Sequence, residues 1–294
     1  MKLTNKYNLP ATIMNVIARP QYTKGKANFS VTELLNSPQI VQLKRKHWNE
    51  LEEDAADMVW SLFGSAIHGV LEHGKGDNHI VEERIHLTID GTQVSGAIDL
   101  QEVEEDGIVL SDYKTTSAWV CQNMKQDWHD QLNIYAYLVE KAKKVPVKKL
   151  QIVAIVRDWA RRDAEKEGYP KAPIVVIDIP LWPFEQREQF LKERISKHIS
   201  AVFDMEIGDE LLPCTPEDVW EKETTYAVKK EGGVRAKSVH KTREEAEAAL
   251  TKGYFLEVRP GERTRCLSFC QVAPFCEQWK KHKEEHGNVS DAGA

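Results

Sequence analysis

The chain of 294 residues lacks several features that would place it in a familiar class. It has no run of 18 or more apolar residues, so the sequence predicts no membrane-spanning helix. Its first twenty residues contain no apolar block followed by a small-residue cleavage site, so we predict no secretory signal and a cytoplasmic protein. It has no P-loop, internal repeat or low-complexity block, and we therefore expect no ATP-driven motor.

Cysteine is scarce, with five residues in the whole chain. Without an export signal a disulfide framework is not expected. Three of the five, Cys266, Cys270 and Cys276, fall close together, and Cys214 precedes them. In a reducing compartment such clustering indicates metal ligation. Cys121 stands apart from this group, and we expect it to be a small core residue.

The chain also lacks an excess of positive charge, since its formal net charge is -6. This sum argues against a nucleic-acid partner, but the charges are unevenly distributed. The first 48 residues contain a single acidic residue, Glu33, and these positive residues: Lys2, Lys6, Arg19, Lys24, Lys26, Lys44, Arg45 and Lys46. Two interpretations stay open, a local phosphate-binding face and an ordinary solvated surface.

The hydrophobic content of 41% is ample for a packed interior, and the residue patterns predict its elements. Ser30 and Glu33 match a helix capping box, and Asp90-Gly91 matches a hairpin turn. Further helices are predicted at residues 51–73, 127–143 and 185–203. Strands are predicted at residues 81–87, 94–100, 108–113, 150–157 and 174–179. This succession predicts an α/β fold with a mixed central sheet flanked by helices.

The composition changes after residue 220, where a second, smaller pattern begins. Strands at 224–228, 234–239 and 254–258, with a helix at 242–250, predict a small ββαβ insertion. The polar tail after Trp279 is expected to fray. We therefore predict three segments: a core with an N-terminal helical region at 1–212, the first clustered cysteine and the insertion at 213–265, and the remaining clustered cysteines with the tail at 266–294.

Three short motifs occur in order along the predicted core. They are Gly64-x3-His68-x3-Glu72, Gly96-x2-Asp99 and Asp112-x-Lys114. Each alone is typical of ordinary residues, because surface histidines, turn aspartates and solvated Asp-x-Lys pairs are common. Together they lie on a predicted helix and near the ends of two adjacent strands, which favours a shared site.

The motifs carry the groups that phosphodiester hydrolysis requires. Asp99 and Asp112 offer oxygen ligands for a divalent cation, and His68 offers a nitrogen that manganese tolerates more readily than magnesium. Lys114 follows Asp112 by two residues in a strand, so both side chains point to one face. An amine there can orient water or stabilise negative charge. The ordered set predicts a metal-dependent nuclease.

Gln131 and Tyr135 lie four residues apart on the predicted helix 127–143, hence on one face. An amide and a phenol so placed could hold a phosphate or a base near the metal. Taken alone, such a pair is more often an ordinary part of a helix surface.

With this pair, the ordered motifs resemble the RecB-like branch of the PD-(D/E)XK nucleases over residues 30–137. The resemblance implies that His68, Asp99, Asp112 and the backbone carbonyl of Tyr113 bind Mg²⁺ or Mn²⁺. It implies that Lys114 acts on the water. It further implies that Gln131 and Tyr135 contact DNA, and that Glu72 is a group behind the metal ligands. Position 112 holds Asp where Glu is commoner, which the family also admits.

The clustered cysteines are similar to those of an iron–sulfur-containing subset of the same family, which includes CRISPR-adaptation nucleases. That resemblance implies a 4Fe–4S cluster held by Cys214, Cys266, Cys270 and Cys276. The x3 and x5 spacings fit poorly with the short C-x2-C pairs of structural zinc sites and do not match C-x3-C-x2-C, the signature of radical enzymes. Zinc and plain buried thiols remain alternatives.

These patterns predict a DNA exonuclease that acts on DNA ends or single strands in replication, recombination or repair. The absence of a motor and the inserted segment favour a stand-alone phage or prophage enzyme. The alternatives are a CRISPR-adaptation nuclease that trims spacer precursors and a non-cleaving DNA-binding module. A recombination or single-strand-binding partner, a homo-oligomer, the polarity and the strand preference are left open.

Overall fold

The computed structural model describes residues 1–19 and 24–286. The strands are β1 (Lys2–Thr4), β2 (Phe29–Ser30), β3 (Glu52–Asp54), β4 (His79–Ile89), β5 (Thr92–Glu104), β6 (Gly107–Thr116), β7 (Val147–Val156), β8 (Ile174–Ile179), β9 (Glu221–Lys222), β10 (Thr225–Lys230), β11 (Ala236–His240), β12 (Tyr254–Arg259) and β13 (Glu262–Arg263). The α-helices are α1 (Ala11–Ile17), α2 (Val31–Leu35), α3 (Pro38–Lys46), α4 (Val59–Leu71), α5 (Ala118–Gln122), α6 (Gln126–Lys143), α7 (Phe184–Ile207), α8 (Arg243–Ala248), α9 (Thr264–Ser268) and α10 (Glu277–His286). Within the described ranges, none of the helices combines the length and the apolar character that crossing a membrane requires.

The chain forms two compact units. The core unit comprises Met1–Asn36 and Glu52–Ile207, and the cysteine unit comprises Ser37–Leu51 and Gly208–Ala294. The basic N-terminal segment is divided between them. Within the core unit Lys2 pairs with Glu52 and Lys24 with Glu33. The division at residues 212 and 265 stays a prediction.

A mixed sheet forms the framework of the core unit. Its strand order is β2-β5-β6-β7-β8, with β4 also paired to β5. The β2–β5 and β6–β7 pairs are parallel, and the β4–β5, β5–β6 and β7–β8 pairs are antiparallel. The predicted α/β fold with a mixed central sheet is thus confirmed.

The hydrophobic core lies between this sheet and helices α2, α6 and α7. The middle of helix α6, residues 132–139, is mainly apolar and is buried on all sides. Its side chains Leu132, Ile134 and Leu138 are fully buried, as are Ile98 of β5 and Leu110 of β6. The predicted capping box is present, because Ser30 Oγ accepts a hydrogen bond from Glu33 N and Ser30 N donates to Glu33 Oε2. These contacts position one end of the sheet against the helices.

Two predicted elements differ from the structure. The α-helix expected at 51–73 begins only at Val59. Residues 52–54 are extended in β3, where Asp54 accepts hydrogen bonds from Thr4 Oγ1 and Lys6 N, and residues 55–58 form a 3-10 turn that Asp54 caps. The tail expected to fray after Trp279 is helical in α10 as far as His286. There Trp279 stacks on His282 within the helix, and residues 287–294 lie outside the described residues.

The cysteine unit contains the predicted ββαβ insertion. Strand β10 lies between β11 and β12 in an antiparallel sheet, and α8 packs beside it. Thr242 caps α8 by accepting a hydrogen bond from Glu245 N. The remaining elements are short, with β9 and β13 forming a two-residue ladder and α9 spanning five residues.

Candidate active site

Asp99 and Asp112 come together where β5 and β6 separate. The β5–β6 ladder ends at the Leu100–Ser111 pair. Beyond it, Tyr113 N donates to Asp99 Oδ2 at 2.8 Å. Both aspartates are buried, with exposed fractions of 8% and 2%. Asp99 was predicted near the end of its strand, but β5 continues to Glu104 and places it in the interior.

His68 reaches the same point from helix α4. Its Nε2 lies 3.2 Å from the Tyr113 carbonyl oxygen, and its Nδ1 lies 3.5 Å from Asp99 Oδ1. The imidazole stands edge-on to the Tyr113 ring. The structure therefore brings together the imidazole, the buried carboxylate of Asp99 and the backbone carbonyl that the sequence predicted as ligands.

Glu82 is a member of this cluster that the sequence analysis missed. Its Oε1 lies 3.3 Å from His68 Nδ1, and ligand atoms of His68, Glu82 and Asp99 all lie within 4.8 Å of one another. The signal was the hairpin register: a two-residue turn at Asp90-Gly91 places residue 82 opposite residue 99. Glu72, by contrast, is exposed in the turn that follows α4. Its predicted role behind the ligands stays a prediction.

Lys114 lies beside Asp112 and is held there by α6. Its Nζ lies 2.5 Å from Asp112 Oδ2 and donates to Gln131 Oε1 at 3.1 Å. Gln131 Nε2 in turn donates to the hydroxyl of Tyr135 at 2.8 Å. The two helical residues thus support the amine, and Tyr135 itself is buried. Their predicted contact with DNA stays a prediction.

Gly96 explains how α6 comes so close to β5. A Cβ atom at this position would lie 2.8 Å from Tyr135 Cε1 and 3.0 Å from Leu138 Cδ1. Only the absence of a side chain leaves room for the aromatic ring there. The glycine of the Gly-x2-Asp motif is therefore required by packing, and it sets the distance between the Gln131–Tyr135 pair and Lys114.

The titratable groups of the site influence one another strongly. The hydrogen bond with Glu82 raises the pKa of His68, against the opposing effect of burial, and the charges of Asp99 and Asp112 add to the increase. Burial and then the charge of Asp112 raise the pKa of Asp99. Burial tends to lower the pKa of Lys114, but the neighbouring Asp112 outweighs it and keeps the amine charged. A divalent cation at this point would favour the deprotonated carboxylates.

The donor set suits a hard divalent cation. Asp99, Asp112 and the Tyr113 carbonyl offer oxygen, and His68 adds one nitrogen, which is the combination that Mg²⁺ and Mn²⁺ accept. The carboxylates of Asp99 and Asp112 are buried close to the charged Lys114. Such a cluster of buried charge is stable only with compensating cations nearby.

Comparison with known families agrees with this geometry. A family model described as the PD-(D/E)XK nuclease superfamily matches residues 31–277. The chain belongs to the PD-(D/E)XK nuclease superfamily. Members of this superfamily are nucleases that use divalent metals such as Mg²⁺ or Mn²⁺, so a metal-dependent nuclease activity is expected of this PD-(D/E)XK nuclease. The prediction of the superfamily from the ordered motifs is confirmed.

Comparisons with individual proteins do not refine this family assignment. No curated protein matches the chain. Among solved structures, the one titled "Crystal structure of SSO0001" is similar at 18% identity and a TM-score of 0.44, and the match covers 63% of this chain and 86% of that one.

In the cysteine unit of this PD-(D/E)XK nuclease, the four clustered cysteines line one cavity. Its walls include Cys214, Cys266, Cys270 and Cys276. Cys214 Sγ lies 3.1 Å from both Ser37 Oγ and Gln39 Oε1. Burial raises the pKa of Cys214 to about 12 and that of Cys266 to about 11. Cys121 packs instead against the core of the other unit, as predicted.

The distances between the cysteine sulfurs can be compared with those around a bound zinc ion. Sulfur atoms around a tetrahedral zinc ion with bonds of about 2.3 Å lie about 3.8 Å apart. Within residues 1–19 and 24–286, no three cysteine sulfurs lie within 4.8 Å of one another. The four cysteines therefore share one cavity without the close grouping of sulfurs that surrounds a bound zinc ion.

Proposed function

We propose that this nuclease is a Mg²⁺- or Mn²⁺-dependent DNA exonuclease that hydrolyses phosphodiester bonds from DNA ends. The observation that carries the proposal is the convergence of His68, Asp99 and the Tyr113 carbonyl beside an Asp112–Lys114 ion pair. A cation bound there supplies positive charge that shields a phosphodiester and favours deprotonation of water. His68, Asp99, Asp112 and the Tyr113 carbonyl would hold it.

Lys114 has a separate task in this proposal. Its amine stays protonated and is oriented by Asp112 and Gln131, so it can position the attacking water and neutralise charge that develops on the phosphate. The hydroxyl of Tyr135 accepts a hydrogen bond from Gln131 Nε2 and so fixes the amide of Gln131. A lysine prepared in this way is not required for DNA binding alone, and it argues against a non-cleaving module.

Exonuclease action in phage or bacterial recombination, replication or repair is the finer part of the proposal. It is supported by the resemblance to RecB-like enzymes and by the ββαβ insertion of β10, β11, α8 and β12. The CRISPR-adaptation alternative would use the same site to trim spacer precursors. The insertion and the length of the chain favour the first of these two.

We further propose a 4Fe–4S cluster at Cys214, Cys266, Cys270 and Cys276, with zinc as the alternative. The shared cavity supports it, as does the similarity of the cysteine spacing to that of iron–sulfur-containing nucleases. Its role would be structural, since the free energy of binding by its ligands becomes folding free energy.

The test compares end-labelled linear DNA with covalently closed circular DNA, each in Mg²⁺ and in Mn²⁺. We expect degradation of the linear form alone. Asp112→Ala and Lys114→Ala should each lower the rate about 1,000-fold or more, because each removes several kcal/mol of transition-state stabilisation. The matched control is Asp178→Ala, an exposed aspartate on β8.

The outcomes are separable when the folding of each variant is checked by its melting temperature. Cleavage of the covalently closed circular DNA would show that the enzyme is an endonuclease and not an exonuclease. Full activity of folded Asp112→Ala or Lys114→Ala would remove that residue from the mechanism, and inactivity of the parent in both metals would contradict the proposal.

A further inference from the structure

Glu82 has an unusual backbone conformation. Its φ is +51° in the middle of β4, in the left-handed region that residues with a side chain rarely adopt within a strand. The β4–β5 ladder pairs Val81 with Leu100 and Glu83 with Ile98, and it skips the position where Glu82 faces Asp99. Strain of this kind persists where the surrounding structure maintains it, and it is concentrated at functional sites.

The kink determines where the Glu82 carboxylate lies. Its Oε1 is 3.3 Å from His68 Nδ1, while the other ring nitrogen, Nε2, is 3.2 Å from the Tyr113 carbonyl oxygen. Adjacent ligands of an octahedral ion with bonds of 2.0–2.1 Å lie about 3 Å apart. Nε2 and the carbonyl therefore have the separation of two neighbouring ligands, and Nδ1 faces Glu82 as its nearer carboxylate, with Asp99 Oδ1 at 3.5 Å.

We propose that Glu82 is a positioning residue that accepts a hydrogen bond from His68 Nδ1–H and thereby directs Nε2 toward the metal ion. Carboxylates that hold a metal-binding histidine in this way set both its tautomer and its ring orientation. The inference rests on the proposed metal-dependent function. It adds a residue that belongs to none of the three motifs.

The first test measures Mn²⁺ binding to the DNA-free protein by electron paramagnetic resonance, so that activity is not the readout. Loss of a carboxylate that orients a ligand weakens metal affinity 10–100-fold, and we expect this range for Glu82→Ala. The control is Glu83→Ala, because Glu83 pairs with Lys143 and Gln101 instead. Its affinity should equal that of the parent.

A double-mutant cycle separates positioning from direct ligation. If Glu82 acts through the imidazole, Glu82→Ala should have little further effect on Mn²⁺ affinity in a His68→Ala background. Additive losses of affinity in the cycle would overturn the positioning role.

Glu82→Gly tests the strain. Glycine adopts a positive φ without penalty, so the metal-free Glu82→Gly protein should melt at a higher temperature than Glu82→Ala while binding Mn²⁺ no better. A melting temperature of Glu82→Gly below that of Glu82→Ala would show that the positive φ of residue 82 is not strained.

The failures of the two proposals can be told apart. If the parent binds Mn²⁺ in an Asp112-dependent manner and Glu82→Ala binds it equally well, only the inference about Glu82 fails. If the parent shows no Asp112-dependent Mn²⁺ binding, the proposed metal centre fails and the role of Glu82 fails with it.

Discussion

The two candidate sites of this nuclease are built in opposite ways. The site in the core unit lies on long paired strands, and its side chains already make hydrogen bonds, as Asp99 does with the backbone N of Tyr113 and Lys114 with Gln131. The cysteines lie on or beside short elements, such as the five-residue α9 that carries Cys266. A preformed site therefore contrasts with one that we expect to depend on its proposed ligand.

The two units also differ in the size of the hydrophobic side chains that they bury. The largest fully buried side chains among the described residues, such as Tyr137, Leu150 and Leu191, all belong to the core unit. The central hydrophobic cluster also lies within it. The buried hydrophobic side chains described in the cysteine unit are mostly smaller, such as Val228 and Val272. The comparison teaches that the core unit can fold by hydrophobic burial, and we expect the cysteine unit to depend more on the proposed metal cluster.

The first prediction has the largest expected effect, and its failure would remove the contrast between the core unit and the cysteine unit. Cys270→Ser removes one of four proposed ligands, and structural metal sites contribute folding free energies on the order of 10 kcal/mol. We expect loss of visible absorption and a separate, lower melting transition for the cysteine unit by calorimetry. Cys121→Ser, outside the cavity, should retain the spectrum. An unchanged visible spectrum in Cys270→Ser would contradict the cluster, and a single unchanged transition would contradict its structural role.

A smaller effect tests whether packing alone forms the core site. Gly96→Ala places a methyl group against Tyr135 and Leu138, and overpacking of this kind costs about 1–3 kcal/mol of unfolding free energy. Chemical denaturation measures it. Gly69→Ala is the matched control, because nothing lies within 4 Å of its Cβ position in α4 and alanine there should stabilise the helix by about 0.5–1 kcal/mol. Equal effects of the two variants would show that the close approach of α6 is unimportant.

The third prediction has the smallest expected effect and tests whether the hydrogen bond from Lys114 to Gln131 contributes to catalysis. Gln131→Leu removes the amide that accepts from Lys114, and a hydrogen bond to a charged group contributes about 1.5–3 kcal/mol. We expect kcat to fall about tenfold or more with an unchanged melting temperature. Gln126→Leu alters an exposed glutamine of the same helix and should leave kcat unchanged. A kcat for Gln131→Leu equal to that of the parent would assign Gln131 to another role.

Much of the core site was predictable because it depends on local periodicity. Asp112 and Lys114 share a face since side chains alternate along a strand, and the Ser30–Glu33 capping box is a contact between near neighbours. The start of α4 was not predictable in this way. It depends on contacts of Asp54 with Thr4 and Lys6, which lie about fifty residues earlier in the chain.

The sequence by itself determined the chemistry: the kinds of donor atom, their order on a helix and two strands, and the membership of the superfamily. Only the tertiary structure decided the geometry, including the bond from Tyr113 to Asp99, the place of Glu82 beside His68 and the cavity shared by four cysteines. The physical reason is that residue types are local properties of the chain. Distances between residues far apart in sequence are set by strand register and by the packing of helices on the sheet.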